Sequence, residues 1–316
     1  MEQQIEHSRL PIQGLNLHVA QAGKGELGTV VFLHGFPEIW YSWRHQMLAV
    51  AAAGYRAVAP DWRGYGLSDE PPEAEEVSYD SLLDDLLGIL DALSIPKAFL
   101  VAKDFGAVAA YDFTLRHPDR IRGVMCLGIP FSPFNASLTT MPEGFYMLRW
   151  QQPGRAETDF GRYDMKRVVR TIYILFSSSE IPIAKEDQEI TDLADLSTPL
   201  PEWFAEDDLT VYASLYEKSG FQYPLKMPYR SLHKRHTVEN PKFHVPVFVV
   251  MGEKDYVYKL PGFKSVLKDG IMEKFAPDLK ITYIPEGSHF VQEQFPDKVN
   301  ELLICFLKDH PVPMAA

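Results

Sequence analysis

Apolar positions in this chain fall into short unbroken runs, separated by stretches with helical spacing. The segments Thr29–Leu33, Tyr55–Ala59, Phe99–Ala102, Val124–Ile129, Val245–Met251 and Lys280–Ile284 are short and rich in apolar and β-branched residues, so each predicts a strand in a covered sheet. A weaker alternation over Ile12–Ala20 predicts one opening strand. Between the strands, Met47–Ala53 predicts a helix stopped by Gly54. In Ser81–Leu93, residues Leu82, Leu83, Leu86, Leu87, Leu90 and Leu93 draw the stripe of an amphipathic helix, with Ser78 or Asp80 able to cap it. Strands alternating with helices imply parallel strands joined by right-handed crossovers, hence an α/β fold with a mostly parallel central sheet and helices on both faces. The alternation breaks at Pro130-Phe131-Ser132-Pro133. From 135 to 229 the pattern predicts helices, best over Ala156–Leu175 and Ala205–Glu217, and no buried strand. An α/β core over 1–134 and 230–316, with a helical lid over 135–229, is the expected organisation.

Composition narrows the class. The chain has 316 residues, 46% of them hydrophobic, enough for a sizeable core. Its 31 basic and 43 acidic residues leave a net charge of −12, which argues against nucleic acid or an anionic membrane as partner. No apolar run approaches the ~20 residues that span a bilayer. Met1–Leu10 is polar and does not read as a signal peptide, and the last residues carry no Ser-Lys-Leu address. Cys126 and Cys305 lie in apolar segments and are expected to be buried thiols in a reducing compartment, which points to the cytoplasm. No Cys–His spacing suggests a metal and no loop would cradle a phosphate, so no cofactor is expected. The basic run His233–His236 predicts a solvated face. Oligomeric state is not legible.

The chemistry centres on Ala102-Lys103-Asp104-Phe105-Gly106. A strand runs into a turn with small flanks, Ala102 and Gly106, and a helix follows. That is the spacing of a nucleophile elbow, with Asp104 at the tip where serine or cysteine is more usual. Asp255 follows the Val245–Met251 strand and His289 follows the last one. The order nucleophile, acid, histidine, each past the C-terminal end of a strand, is that of the α/β-hydrolases. A carboxylate is ionised at neutral pH and attacks a saturated carbon directly. The resulting ester, unlike a seryl ether, is open to water at its own carbonyl. His289 would deprotonate that water, with Asp255 fixing its tautomer, and the backbone N–H groups of Phe105 and Phe36 would receive the oxyanion. The substrate is then an sp³ carbon bearing a leaving group, either an epoxide or an alkyl halide.

The chain resembles the plant-type soluble epoxide hydrolases of the α/β-hydrolase superfamily over nearly its whole length. The residues that carry the resemblance are His34-Gly35-Phe36-Pro37-Glu38, Asp61-Trp62-Arg63-Gly64-Tyr65-Gly66, the elbow, Gly252-Glu253-Lys254-Asp255 and Gly287-Ser288-His289-Phe290. In the lid, Phe145–Gly154 and Pro228-Tyr229-Arg230 are similar to the family's two tyrosine segments. The resemblance implies that Tyr146 and Tyr229 polarise and protonate the oxygen of a small apolar epoxide, giving a vicinal diol through an alkyl-aspartate ester. It also makes Glu38 either a residue that orders water or an ordinary exposed loop acid. Phe131, Phe134, Met147 and Trp150 are candidates for an apolar pocket wall or for plain lid packing.

The chain departs from the family where His-Asp-Trp is common and Lys103-Asp104-Phe105 stands instead. Lys103 is expected either to depress the pKa of a nearby carboxylate or, the preferred reading, to point into solvent. The rival readings are a haloalkane or haloacetate dehalogenase, against which Phe105 counts because its ring offers a halide no N–H, and a non-catalytic ligand receptor on the same scaffold.

Overall fold

The computed structural model describes residues 4–72, 77–133, 140–231, 234–235 and 238–312. The chain opens with β1 (Glu6–Ile12) and β2 (Leu15–Ala22), paired antiparallel. One strand was expected across Ile12–Ala20, but the chain reverses at Gln13 and Gly14, with φ of 48° and 80°. Two successive left-handed residues give the turn whose twist matches a hairpin. Glutamine at the first position hides that turn from a composition-based reading.

The alternation follows as the apolar runs predict: β3 (Thr29–Leu33), α1 (Arg44–Ala52), β4 (Arg56–Pro60), α2 (Tyr79–Ala92), β5 (Ala98–Lys103), α3 (Phe105–Arg116) and β6 (Ile121–Leu127). Ser78 caps α2 by accepting from the N–H of Ser81, and Leu82, Leu83, Leu86 and Leu90 are the buried stripe. Next come α4 (Tyr146–Trp150), α5 (Arg155–Phe160), α6 (Met165–Ser177), α7 (Glu206–Ser219) and α8 (Gln222–Leu225). The helix expected over Ala156–Leu175 is two, because Gly161 closes α5 and Asp164 caps α6 through the N–H of Arg167. The sheet then resumes with β7 (Val247–Gly252), α9 (Phe263–Lys268), β8 (Leu279–Ile284), α10 (Val291–Gln294) and α11 (Pro296–Asp309).

The eight strands form one sheet in the order β1-β2-β4-β3-β5-β6-β7-β8. Pairings are parallel from β4 to β8 and antiparallel for β1–β2 and β2–β4. β5 lies inside the sheet, between β3 and β6, so its C-terminal end is flanked by loops from both neighbours. Its side chains alternate between two cores. Phe99 and Val101 join Trp43, Met47, Leu303 and Phe306 of the layer holding α1 and α11. Leu100 and Ala102 join the opposite core, with α2, α3 and the helices between β6 and β7. Each fully buried leucine or phenylalanine contributes roughly 2–3 kcal/mol, and this two-sided burial makes β5 a rigid base for the turn that follows it.

Three further sequence expectations need correction. Cys126 is buried but Cys305 is exposed, because α11 turns Leu303, Phe306 and Leu307 inward and leaves position 305 on its outer face. Arg235 does not belong to a solvated basic face. Its guanidinium forks onto Asp112 of α3, at 2.7 and 2.6 Å. His233 and His236 lie outside the described residues. The third correction, Lys103, belongs to the site.

Candidate active site

The turn between β5 and α3 holds Asp104 at φ 51° and ψ −132°. A residue with a Cβ in that region stores about 1–3 kcal/mol of strain, so packing must enforce it. Two glycines make the packing possible. A Cβ on Gly106 would stand 2.4 Å from the His34 carbonyl oxygen and 2.6 Å from that of Leu33. A Cβ on Gly35 would stand 2.2 Å from the Cβ of Asp104. The β3 turn thus lies directly against the elbow. The His34 ring fixes that turn: its Nδ1–H donates to the Gly35 carbonyl, and its Nε2 accepts from the N–H of Trp62. Burial holds the imidazole neutral, with its pKa down to about 4.

This apposition aims the backbone N–H of Phe36 at Oδ1 of Asp104, 3.1 Å away. The Phe105 N–H lies beside the same carboxylate and favours its ionised form. Oδ2 lies 3.5 Å from Nε2 of His289, near enough to pair charges but too far for a good hydrogen bond. On the far side of the imidazole, Nδ1 meets both oxygens of Asp255 at 3.0 and 3.1 Å. Asp255 is itself held by the N–H of Val257, at the start of the 3₁₀ turn Tyr256–Lys259 that follows β7. The Asp104 side chain keeps 19% of its exposure while that of His289 has none, so the carboxylate is the member of the group that an incoming molecule can reach. Burial would raise the Asp104 carboxyl; His289, the charge of Lys103 and the Phe105 N–H outweigh it and hold the group below its ordinary value. Burial and Lys103 push His289 down, and the two carboxylates more than offset them, leaving it raised.

Lys103 does not point into solvent. It is fully buried, and its ammonium has no hydrogen-bond partner among the described residues. It stands 5.8 Å from the centroid of the Phe290 ring. A Cβ on Gly128 would lie 3.6 Å from Nζ of Lys103 and 2.9 Å from Oδ2 of Asp255, so both groups converge on that bare backbone. Strand alternation puts position 103 on the face of Phe99 and Val101, so the side chain enters the core instead of solvent, and of the two expectations the one kept is that its charge depresses a nearby carboxylate, that of Asp104. Glu38 is likewise not an exposed loop acid. Its carboxylate is buried and accepts from the Gly35 N–H and the Gln292 amide. Burial raises its pKa against the opposing charges of Lys103 and His289.

Above the carboxylate stands an aromatic cage. The Trp150 ring is 5.0 Å from those of both Tyr146 and Tyr229, and the Phe36 ring is 5.1 Å from Tyr229. Tyr146 and Tyr229 are buried, and burial followed by neighbouring phenols and Asp104 pushes the Tyr229 hydroxyl far up. Met147 is half-buried at the margin. Phe131 instead makes edge-on ring contacts with Tyr111, Phe243 and Phe275 in the core. Phe134 lies outside the described residues. Tyr256 has no place in the sequence-based site, yet its hydroxyl is 2.9 Å from that of Tyr146 and its ring is 4.9 Å from His289. Its position directly after Asp255 was the available signal. A shallow hollow of about 250 Å³, lined by His7, Arg9, His18 and Lys218, lies at the β1–β2 edge, away from β5, and contributes nothing to this site.

An ionised carboxylate on a strained turn, two N–H donors, an imidazole–carboxylate pair and phenols overhead can form and hydrolyse an ester of a saturated carbon. Comparison with known proteins agrees. A family model described as the α/β hydrolase fold matches residues 28–174. Epoxide hydrolase 1 of Siraitia grosvenorii is 35% identical, over 97% of this chain and 99% of its own. The crystal structure of an epoxide hydrolase from Vigna radiata superposes with a TM-score of 0.88 at 33% identity, over 96% of this chain and 98% of that one. Potato (Solanum tuberosum) epoxide hydrolase I gives 0.83 at 29% identity, over 97% and 100%.

Proposed function

This chain belongs to the epoxide hydrolases of the α/β-hydrolase fold, and from that premise we propose how its own residues divide the work. The protein hydrolyses an epoxide to a vicinal diol through a covalent alkyl-aspartate ester. Asp104 attacks a ring carbon, the carbon–oxygen bond breaks, and the leaving oxygen takes a proton from Tyr146 or Tyr229. Phenols kept neutral by burial suit this step, because they donate only to an oxygen more basic than themselves.

Water then adds to the ester carbonyl of Asp104 as His289 takes one of its protons, with Asp255 orienting the ring. The oxyanion rests on the N–H groups of Phe36 and Phe105. Collapse breaks the acyl carbon–oxygen bond, and the departing diol oxygen takes the proton from His289. Asp104 is left as a carboxylic acid, whose proton replaces the one the phenol gave up, so the cycle balances as epoxide plus water. Glu38, whose carboxylate is held by the Gly35 N–H and the Gln292 amide, orders the water, and that fixed orientation supports the reading.

The observation that carries the assignment is the single carboxylate of Asp104, met by the Phe36 N–H on one oxygen and faced by His289 across 3.5 Å on the other. The substrate is a small apolar epoxide, in keeping with the cage of Phe36, Trp150, Tyr146 and Tyr229. Residues 135–229 act as the cap on a core of 1–134 and 230–316, which accounts for the all-helical run α4 to α8. The unpaired thiols of Cys126 and Cys305 favour the cytoplasm. Among the described residues no helix is long and apolar enough to cross a membrane.

One observation favours the dehalogenase rival. Among the described residues the buried Trp150 indole N–H has no partner, and a halide is a ligand that could take it. One experiment weighs both readings. His289→Gln is incubated with styrene oxide, and wild type is assayed for diol and, on a haloalkane, for halide. Diol from wild type and an alkyl adduct on Asp104 in the variant, with turnover down about 1000-fold, are the expected results. An adduct on another residue, or halide release without diol, overturns the assignment.

A further inference from the structure

The hydroxyls of Tyr146 and Tyr256 are 2.9 Å apart in a buried contact, and among the described residues each is the other's only hydrogen-bond partner. One of the two must donate. If Tyr146 donated, its proton would be committed to Tyr256 and withheld from the leaving oxygen. If Tyr256 donates, the Tyr146 proton is free to turn towards Asp104 and the substrate above it. Placement supports the second arrangement. Tyr256 is the first residue of the 3₁₀ turn that Asp255 caps, so the turn that holds the acid of the His289 pair also fixes this phenol. Its ring lies against His289 at 4.9 Å and Phe176 at 5.3 Å, and the Tyr146 ring is packed by Trp150, Phe145 and Phe176, leaving neither free to swing away.

We infer that Tyr256 is a positioning residue for ring opening: its hydroxyl donates to Tyr146, aims the Tyr146 proton at the epoxide oxygen, and holds the phenolate that remains once the proton has gone. This rests on the reading of Tyr146 as a proton donor. In the step itself the Asp104–carbon bond forms and the ring carbon–oxygen bond breaks. The Tyr146 O–H bond breaks to give the hydroxyl of the ester intermediate, while Tyr256 keeps its own proton throughout. A hydrogen bond to an ion is about twice as strong as one between neutral groups, so Tyr256 stabilises the product of the transfer more than its start, as acid catalysis needs. The charges and titratable groups around the pair are Asp104, Asp255, Tyr229 and His289; the contact with Tyr256 lowers the Tyr146 pKa, while burial and the two carboxylates raise it.

The test is Tyr256→Phe, alone and combined with Tyr146→Phe, in single-turnover reactions with styrene oxide that resolve formation of the Asp104 ester from its hydrolysis. The inference expects ester formation slowed about 10-fold in Tyr256→Phe, hydrolysis unchanged, and the basic limb of ester formation moved to higher pH. In the Tyr146→Phe background the second substitution should add no further loss. Ester formation at the wild-type rate, equal loss in both steps, or full additivity in the double variant each overturns the inference. Absence of any Asp104 ester in wild type would instead remove the catalytic reading on which it rests.

Discussion

At the scale of the single residue, Lys103 shows how far environment can change a side chain's meaning. It stands one position before Asp104, enclosed, without a hydrogen-bond partner among the described residues, and close to Asp255, His289 and Glu38. Its charge opposes protonation of His289. Once Asp104 has become an ester, one of the two anions that favoured imidazolium is neutral, while Lys103 is unchanged. The imbalance then tips His289 towards the neutral form that accepts a proton from water. Lys103→Met removes the opposing charge, so His289 should titrate higher. The acid limb of ester hydrolysis should move up by about 1 pH unit, measured by single turnover across pH on the folded variant. An unmoved limb would leave Lys103 with a structural role alone. The sequence made Asp104, His289 and Asp255 legible because three rare positions occurred in order at strand ends. It left Lys103 open between solvent and a nearby carboxylate and did not disclose Tyr256, because for both the significance lies in which neighbours enclose them.

At the scale of the element, the elbow is a strand and a helix forced together by two glycines. The sequence marked Gly106 as a flank because the arms of such a turn pass close. The structure adds that the obstruction is backbone, the carbonyl oxygens of Leu33 and His34, which cannot rotate away. Gly106→Ala should therefore destabilise the fold by roughly 2–3 kcal/mol, read as a lower urea midpoint. If the protein keeps wild-type stability, the close approach of β3 and α3 is not as described. Helices were legible where a leucine stripe ran uninterrupted, as in α2. They were misjudged where a local signal competed: Asp164 makes a cap inside the apolar pattern that spans α5 and α6.

At the scale of the molecule, the helices between β6 and β7 are tied to the sheet layers by buried polar contacts. Glu293 in α10 accepts from Tyr212 of α7 and pairs with Arg44 of α1. Burial outweighs the Arg44 contact and raises its carboxyl to about 7. The folded protein therefore binds a proton between its ordinary value of 4.5 and about 7 that the unfolded chain has released. The contribution of Glu293 to stability is full below that window and is lost as pH rises through it. Glu293→Gln keeps the shape without the titration. Its urea stability should hold more nearly constant than that of wild type from pH 5 to about 7, and parallel profiles would refute the linkage.

Local order along the chain was enough to set the alternation of strand and helix, the interruption after β6 and the placing of Asp104, Asp255 and His289 at strand ends. Those depend on apolar periodicity, turn chemistry and residue order, which are properties of neighbouring positions. The enclosure of Lys103 and Glu38, the Asp112–Arg235 pair and the contact of Tyr146 with Tyr256 were decided only by the tertiary structure. Each joins residues far apart in the chain, or turns on which side of the sheet a charge falls, and charge burial depends on everything that surrounds a group in three dimensions.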